Sequence, residues 1–437
     1  MSGSGRSGSG EVQTAGSARA AGSARPTGPG ASKGRPWWFW LALVGAAVVV
    51  LSTVRALTGA NDIDSSGALM AAVGLAMPIG LAGLGGLWSE RAGVVNIGLE
   101  GMMILGTWGG AFFGYHSGPW AGILGAILMG VVGGAIHALA TVIFGVDHIV
   151  SGVAINLLGA GAGAYLAVRT FTGLPGGGPT QSPPLQQLPF LSVPGLGDAL
   201  GNVEKNHVWL LSDLASVLRA LTTNLNVLTV VAIGLLVLSW WVLWHTAFGL
   251  RLRSCGEAPE AAETLGINVL RYKFMAVLIS GGLAGLGGGF LVLVASNLYR
   301  EGQTGGRGYI GLAAMIFGNW RPGGLSGGAA LFGYADAVQL RGGGDVVRAY
   351  LLPFAIGLVA WGVWQLVRRR QGKPMTGVVT AVMGVLAFAW FFLTARVPNE
   401  FTGMTPYVAT LLVLAFASQR LRMPAADGKV YRKGEAT

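Results

Sequence analysis

The sequence predicts an all-α, polytopic membrane protein of about 12 transmembrane helices, and three observations carry that prediction. Of its 437 residues, 52% are hydrophobic and 11% charged, against roughly 25% charged in soluble domains. Apolar runs of bilayer-spanning length follow one another through most of the chain. The third observation is a repeat: Gly80-Leu-Ala-Gly-Leu-Gly-Gly86 returns unchanged at Gly282–Gly288. A looser match follows each copy, Ile97-Gly-Leu-Glu-Gly-Met102 and Ile310-Gly-Leu-Ala-Ala-Met315. Two ordered matches of this kind indicate an internal duplication. The 74 glycines fit membrane helices whose backbones approach closely.

The same composition excludes several classes. A net charge of +11 would raise nucleic acid as a partner of a soluble protein. Here the charges lie between apolar segments, so no nucleic acid is expected. The single cysteine, Cys255, precludes an internal disulfide. His116, His137, His148, His207 and His245 lack ligand spacing and read as packing or loop residues, so no metal site is expected.

Residues 1–36 are Gly, Ser, Ala, Arg and Pro with one acid, Glu11. Such a segment cannot bury enough surface to offset its ordering entropy and reads as a disordered basic tail. Trp37 to Leu57 is a retained first helix, lacking a convincing cleavage site. Further spans are expected near 67–88, 98–115, 119–144, 150–168, 226–248, 274–297, 308–320, 323–340, 349–367, 376–395 and 405–419. The span at 308–320 is short enough to be half of a broken helix. Twelve spans put both termini on one side. With that side cytoplasmic, twenty of the 29 Lys and Arg residues fall inside, including Arg368–Arg370, as the positive-inside rule requires. The two glycine copies then run in opposite directions, an inverted repeat of the kind that builds a midplane path.

This reading divides the chain into a tail at 1–36, a membrane domain at 37–420 and a second cytoplasmic tail at 421–437. Within the membrane domain, residues 169–225 form a long outside loop rich in Pro and Gly, with a candidate interfacial helix between His207 and Leu221. Residues 249–273 form the largest inside loop. Its sequence is helical, and Pro259 sits where a first-turn proline is tolerated.

Small residues at every fourth position (Gly106/Gly110/Gly114, Gly130/Gly134, Gly281/Gly285/Gly289) clear helix faces for close packing. Glu100 is the sole acid of the third span. Two readings stand for it: a group facing a water-filled path, or an anchor near the inner interface paired with Arg91. Asn96 and Asn156 are softer versions of the same case, and Asp336 reads as a packing or hydrogen-bonding residue. Gly306-Arg-Gly-Tyr-Ile-Gly311 matches G-x-G-x-x-G in form only, because no βαβ unit surrounds it. The chain contains no P-loop and no H-E-x-x-H motif, so it is not expected to be an enzyme. In the 249–273 loop, Ala261, Ala262 and Gly266 leave one helix face smooth enough to dock into a partner.

Three blocks of residues carry a family resemblance. Ser89-Glu-Arg-Ala-Gly-Val-Val-Asn-Ile-Gly-Leu-Glu-Gly-Met102 resembles the signature of permease subunits of ABC importers in the branched-chain amino acid, ribose and nucleoside group. It is most similar to bacterial nucleoside-type permeases that work with a basic-membrane-protein-like lipoprotein. Phe248 to Val269 is similar to that family's ATPase-coupling segment, and Gly306 to Gly318 to its third block. The resemblance implies an ABC ATPase subunit, a second related permease and an extracytoplasmic substrate-binding lipoprotein as partners in a bacterial cell membrane. It implies no cofactor in this chain, with ATP and Mg held by the ATPase. By the same resemblance, Glu257, Ala261, Ala262 and Gly266 would face the ATPase. Asn96 and Glu100 would lie at or near the translocation path, for which Asn156 is a further candidate from its own position. The implied activity is ATP-driven import, of nucleosides or else of a ribose-type sugar. An ion-coupled secondary transporter would carry the same repeats, and a membrane enzyme would need catalytic pairs that are missing. Two departures stand out. Ala258 replaces the Asn usual in the coupling block, and residues 341–400 form an extra two-helix insertion.

Overall fold

The computed structural model describes residues 37–367, 374–417 and 421–434. The 1–36 tail and Arg368–Arg370 lie outside the described residues. Among the described residues seventeen α-helices run in order: α1 (Trp37–Thr58), α2 (Ser66–Arg91), α3 (Leu99–Ser117), α4 (Pro119–Ala138), α5 (His148–Phe171), α6 (Leu196–Lys205), α7 (Leu211–Thr222), α8 (Val227–His245), α9 (Ala247–Glu257), α10 (Pro259–Thr264), α11 (Val269–Phe290), α12 (Arg307–Phe317), α13 (Pro322–Ala337), α14 (Gly343–Val367), α15 (Pro374–Leu393), α16 (Asn399–Thr402) and α17 (Thr405–Ala417). Five-residue π turns extend α4, α11 and α13. Seven helices among the described residues are long and apolar enough to cross a membrane, and Arg307–Phe317 and Gly45–Thr58 are shorter apolar helices. The chain divides into two units within α1, at Ala46/Ala47. Only the start of α1 is described in the first unit. The helix bundle lies in the second, Ala47–Thr437.

The two glycine copies pack against each other. A Cβ on Gly85 of α2 would lie 2.6 Å from the Ser280 carbonyl of α11, and one on Gly287 would lie 3.0 Å from that of Pro78. Residue numbers rise along α2 as they fall along α11, so the pair is antiparallel. Around it, α3 and α4 close in still more tightly. A Cβ on Gly106 would collide with the Gly285 carbonyl, and one on Gly130 with that of Gly281. No side chain fits at these separations, which is why glycine occupies the crossing points. The expected small-residue faces are therefore interhelical contacts. Leu84, Leu87, Leu286 and Phe290 fill the space beside them and are fully or almost fully buried.

The 169–225 connection is more ordered than a loop. It contains α6 and α7 and a two-residue ladder, Phe190–Leu191 antiparallel to Leu225–Asn226. α7 covers most of the expected interfacial segment; α6 carries no sequence signal that singled it out. Leu211, Leu214, Leu218 and Leu221 of α7 point outward while Ser212, Asp213 and Ser216 are buried, the face assignment of a helix lying at a lipid boundary. Asp213 holds the hairpin down through Arg55 of α1, at 2.6 Å.

Residues 341–400, expected to be an added segment, contain the hairpin α14–α15. Gly362 approaches Ala381 and Gly377 closely enough that a Cβ would lie 2.6 Å from the Ala381 nitrogen. Its outer surface carries Trp361, Trp364, Val378 and Phe392, all exposed.

Candidate functional site

The candidate site is the non-helical break between α2 and α3, residues 92–98. α2 stops at Arg91, and Gly93 adopts φ +83°. An unwound segment inside an apolar bundle must find partners for its backbone groups. Two buried histidines supply them. The Val95 amide donates to His148 Nδ1 at 3.3 Å, and the Val95 carbonyl meets His137 Nε2 at 3.1 Å. His137 Nδ1 lies 2.8 Å from Ser151 Oγ. Both rings therefore bind backbone, in keeping with the packing role expected of them.

Asn96 is fully buried. Its Nδ2 donates to Ser280 Oγ at 2.8 Å, and its Oδ1 is buried without a donor. Asn156, half-buried on α5, spans the break: its Oδ1 accepts from the Gly101 amide at 2.7 Å. Its Nδ2 donates to the Ile97 carbonyl at 3.0 Å and to the Tyr309 hydroxyl at 2.9 Å.

Glu100 does not pair with Arg91. It is 7% exposed, and its carboxylate accepts from the amides of Gly306 at 3.0 Å and Gly308 at 2.7 Å. These are free donors at the start of α12, where a negative charge is favoured by unpaired N–H groups and the helix dipole. Arg91 is engaged elsewhere: it donates to the Trp320 carbonyl at 2.9 and 2.6 Å and pairs with Glu257 at 3.7 Å. Glu100 thus joins the α2–α3 break to the start of α12. Gly308 permits this approach, since a Cβ there would lie 2.6 Å from Glu100 Cα. Asp336 pairs with Arg307 at 3.3 Å, fixing α12 to α13.

The network therefore brings Asn96, Glu100 and Asn156 together around one junction. Ser280 and Tyr309 complete it and were not singled out from sequence. Ser280 stands two residues before the second glycine copy and Tyr309 within the quoted third block, and no local feature marks either as a partner.

Residues 68–361 match the permease component family of branched-chain amino acid transport systems. The chain belongs to this permease family. The guanosine ABC transporter permease protein NupQ of Bacillus subtilis is 34% identical over 371 residues, covering 82% of this chain and 94% of that one. The nucleoside ABC transporter permease protein NupC of Lactococcus lactis is 32% identical, with the same shares covered. A putative glucose ABC transporter permease protein, TsgC13 of Haloferax volcanii, is 31% identical over 84% and 98% of the two chains. No solved structure matches.

In the permease the 249–273 segment folds as α9 and α10, joined at Ala258. Pro259 opens α10 as expected, and the Ala258 side chain makes no cap. The four residues expected to face a partner separate into three kinds. Ala261 and Gly266 are exposed, and Gly266 adopts φ +80°. Glu257 is 54% exposed at its side chain but turned toward Arg91. Ala262 is not on the surface: it is 2% exposed and packs with Cys255, Val269 and Tyr431. An alanine between two helical turns fits this small internal cluster, where a larger side chain would push α10 away. Burial pushes the Cys255 thiol up to about 11, which keeps it protonated and unreactive.

Proposed function

We propose that the permease is the membrane-spanning subunit of an ATP-driven importer that translocates nucleosides. The observation that carries this reading is the near full-length similarity to two permeases named for guanosine and nucleoside transport. The glucose-named relative, of almost equal identity, supports a simple sugar as the second reading. In this proposal ATP and Mg are bound by a separate ABC ATPase subunit, and a second related permease completes the pore. An extracytoplasmic substrate-binding lipoprotein delivers the cargo.

The antiparallel packing of the two glycine copies supports an inverted-repeat architecture of about twelve crossings with both termini cytoplasmic. Transport then proceeds by rocking of one repeat against the other. Asn156 and the exposed Tyr309 would line the polar path, with Asn96 and Glu100 behind them fixing the geometry of the two broken segments. Glu257, Ala261 and Gly266, with exposed Leu265, would meet the ATPase, while Ala262 would hold that surface in shape.

The test is initial-rate uptake in proteoliposomes containing the permease pair, the ATPase and the binding protein. Guanosine uptake that requires ATP, and that excess glucose leaves unchanged, is expected. Glucose uptake blocked by no nucleoside would establish the sugar reading instead. Uptake that ignores ATP and collapses with the ion gradient would end both.

A further inference from the structure

The last described segment, residues 421–434, has no regular secondary structure and a polar, basic sequence. Such ends ordinarily fray, because ordering them costs conformational entropy that few contacts offset. This one is fastened along its length. The Arg422 amide donates to Asn319 Oδ1 at 2.7 Å, in the turn between α12 and α13. The Ala425 amide donates to Glu257 Oε2 at 3.2 Å, and the Ala426 amide to the Gly256 carbonyl at 2.9 Å. The Tyr431 hydroxyl donates to Glu263 of α10, and its ring packs on the cluster that buries Ala262.

Between these points the segment presses on the α2–α3 break. A Cβ on Gly93 would lie 3.2 Å from the Ala426 carbonyl and 3.1 Å from Gly256 Cα, so helix, break and tail are in mutual contact. Asp427 is 6% exposed and sits beside Glu90 at the end of α2, with Lys273 and Arg91 the neighbouring cations. Burial pushes its carboxyl up to about 7. Glu257 is shared, one oxygen toward Arg91 and the other toward the tail.

We propose that residues 422–431 are a coupling strap, binding α9–α10, the α2–α3 break and the α12–α13 turn into one piece that moves together. The contacts single out those three elements: the strap ties the surface assigned to the ATPase to the broken segments of both repeats. A push on α10 reaches the break through Arg91–Glu257 and, in parallel, through this strap. Without the strap, α10 can tilt while the break stays still, so ATP is hydrolysed without import.

The inference rests on the importer reading, and its test separates the two. Ala426→Pro removes the amide that donates to Gly256, and Tyr431→Phe removes the hydroxyl that donates to Glu263. In proteoliposomes holding the whole complex, the double variant should import guanosine at least tenfold more slowly. The ATPase should still co-purify at wild-type stoichiometry and hydrolyse ATP, so more ATP is spent per guanosine imported. Tyr431→Phe alone should raise that ratio about threefold. Wild-type uptake and ratio in the double variant would overturn the strap. So would loss of the ATPase together with uptake, which would make the segment a folding element only. A wild-type complex with no ATP-driven uptake would instead sink the importer reading itself.

Discussion

Two helix pairs in this permease use glycine in the same way and come to opposite ends. α2 and α11 cross through Gly85 and Gly287, and α14 and α15 cross through Gly362 and Gly384. In both pairs a Cβ at the crossing would meet backbone of the partner helix. The apolar stretches of α2 and α11, however, are 56% and 83% buried inside the protein, against 22% and 17% for α14 and α15. The first pair is enclosed by α3, α4, α12 and α13 and carries the broken segments. The second faces outward with its tryptophans and valines. Close packing is therefore a property of membrane helices in general. The enclosed pair is joined to the buried network around Asn96, Glu100 and Asn156, whereas α14 makes a different polar contact, Tyr350 with the Tyr334 hydroxyl.

The largest expected effect is at the enclosed crossing. Gly106→Val or Gly285→Val forces a side chain into backbone and should cost about 3 kcal/mol, seen as loss of monodisperse protein in detergent. Survival of both variants at wild-type melting temperature would break the comparison. Glu100→Gln comes next. It keeps one acceptor but removes the charge facing two α12 amides, a loss of about 2 kcal/mol. Faster hydrogen exchange confined to residues 304–310, with the bundle intact, would show it. Asn156→Ala leaves the Gly101 amide and the Ile97 carbonyl unpaired, worth about 1 kcal/mol, readable as a lower thermal midpoint.

Asp427→Asn tests the tail end of the network. A carboxyl whose pKa is raised to about 7 holds its proton in the docked state and loses it in the free tail. Docking should therefore strengthen as pH falls from about 7 toward 4, and the variant should flatten that dependence. Protease cleavage of the tail across this range measures it. Last, Gly357→Leu in α14, where nothing lies within 4 Å of the added Cβ, should change stability by less than about 0.5 kcal/mol.

The sequence was most informative where the physics is local or periodic. Apolar runs announce helices because length and hydropathy alone decide them, and Gly106/Gly110 announces a crossing because spacing alone clears a face. The shortness of the 308–320 span was visible in sequence, and the helix there, α12, is eleven residues long. What escaped depends on contacts between distant positions. Glu100 is 206 residues from Gly306, and nothing near it in sequence marks it as a cap for another helix. Ala262 looked like an outward small residue because smallness suits both a docking face and a crowded interior. The 421–434 tail offered no apolar period at all, since much of its binding runs through backbone amides, which every sequence possesses.

One comparison of rates tests the central claim, that transport depends on the enclosed, capped junction and not on the outer hairpin. Wild type, Glu100→Gln and Gly357→Leu would be reconstituted with their partners at equal protein, and ATP-dependent guanosine uptake measured at initial rate. Uptake should fall at least tenfold in Glu100→Gln and stay at the wild-type rate in Gly357→Leu. Equal rates for wild type and Glu100→Gln, or a collapse confined to Gly357→Leu, would contradict the account.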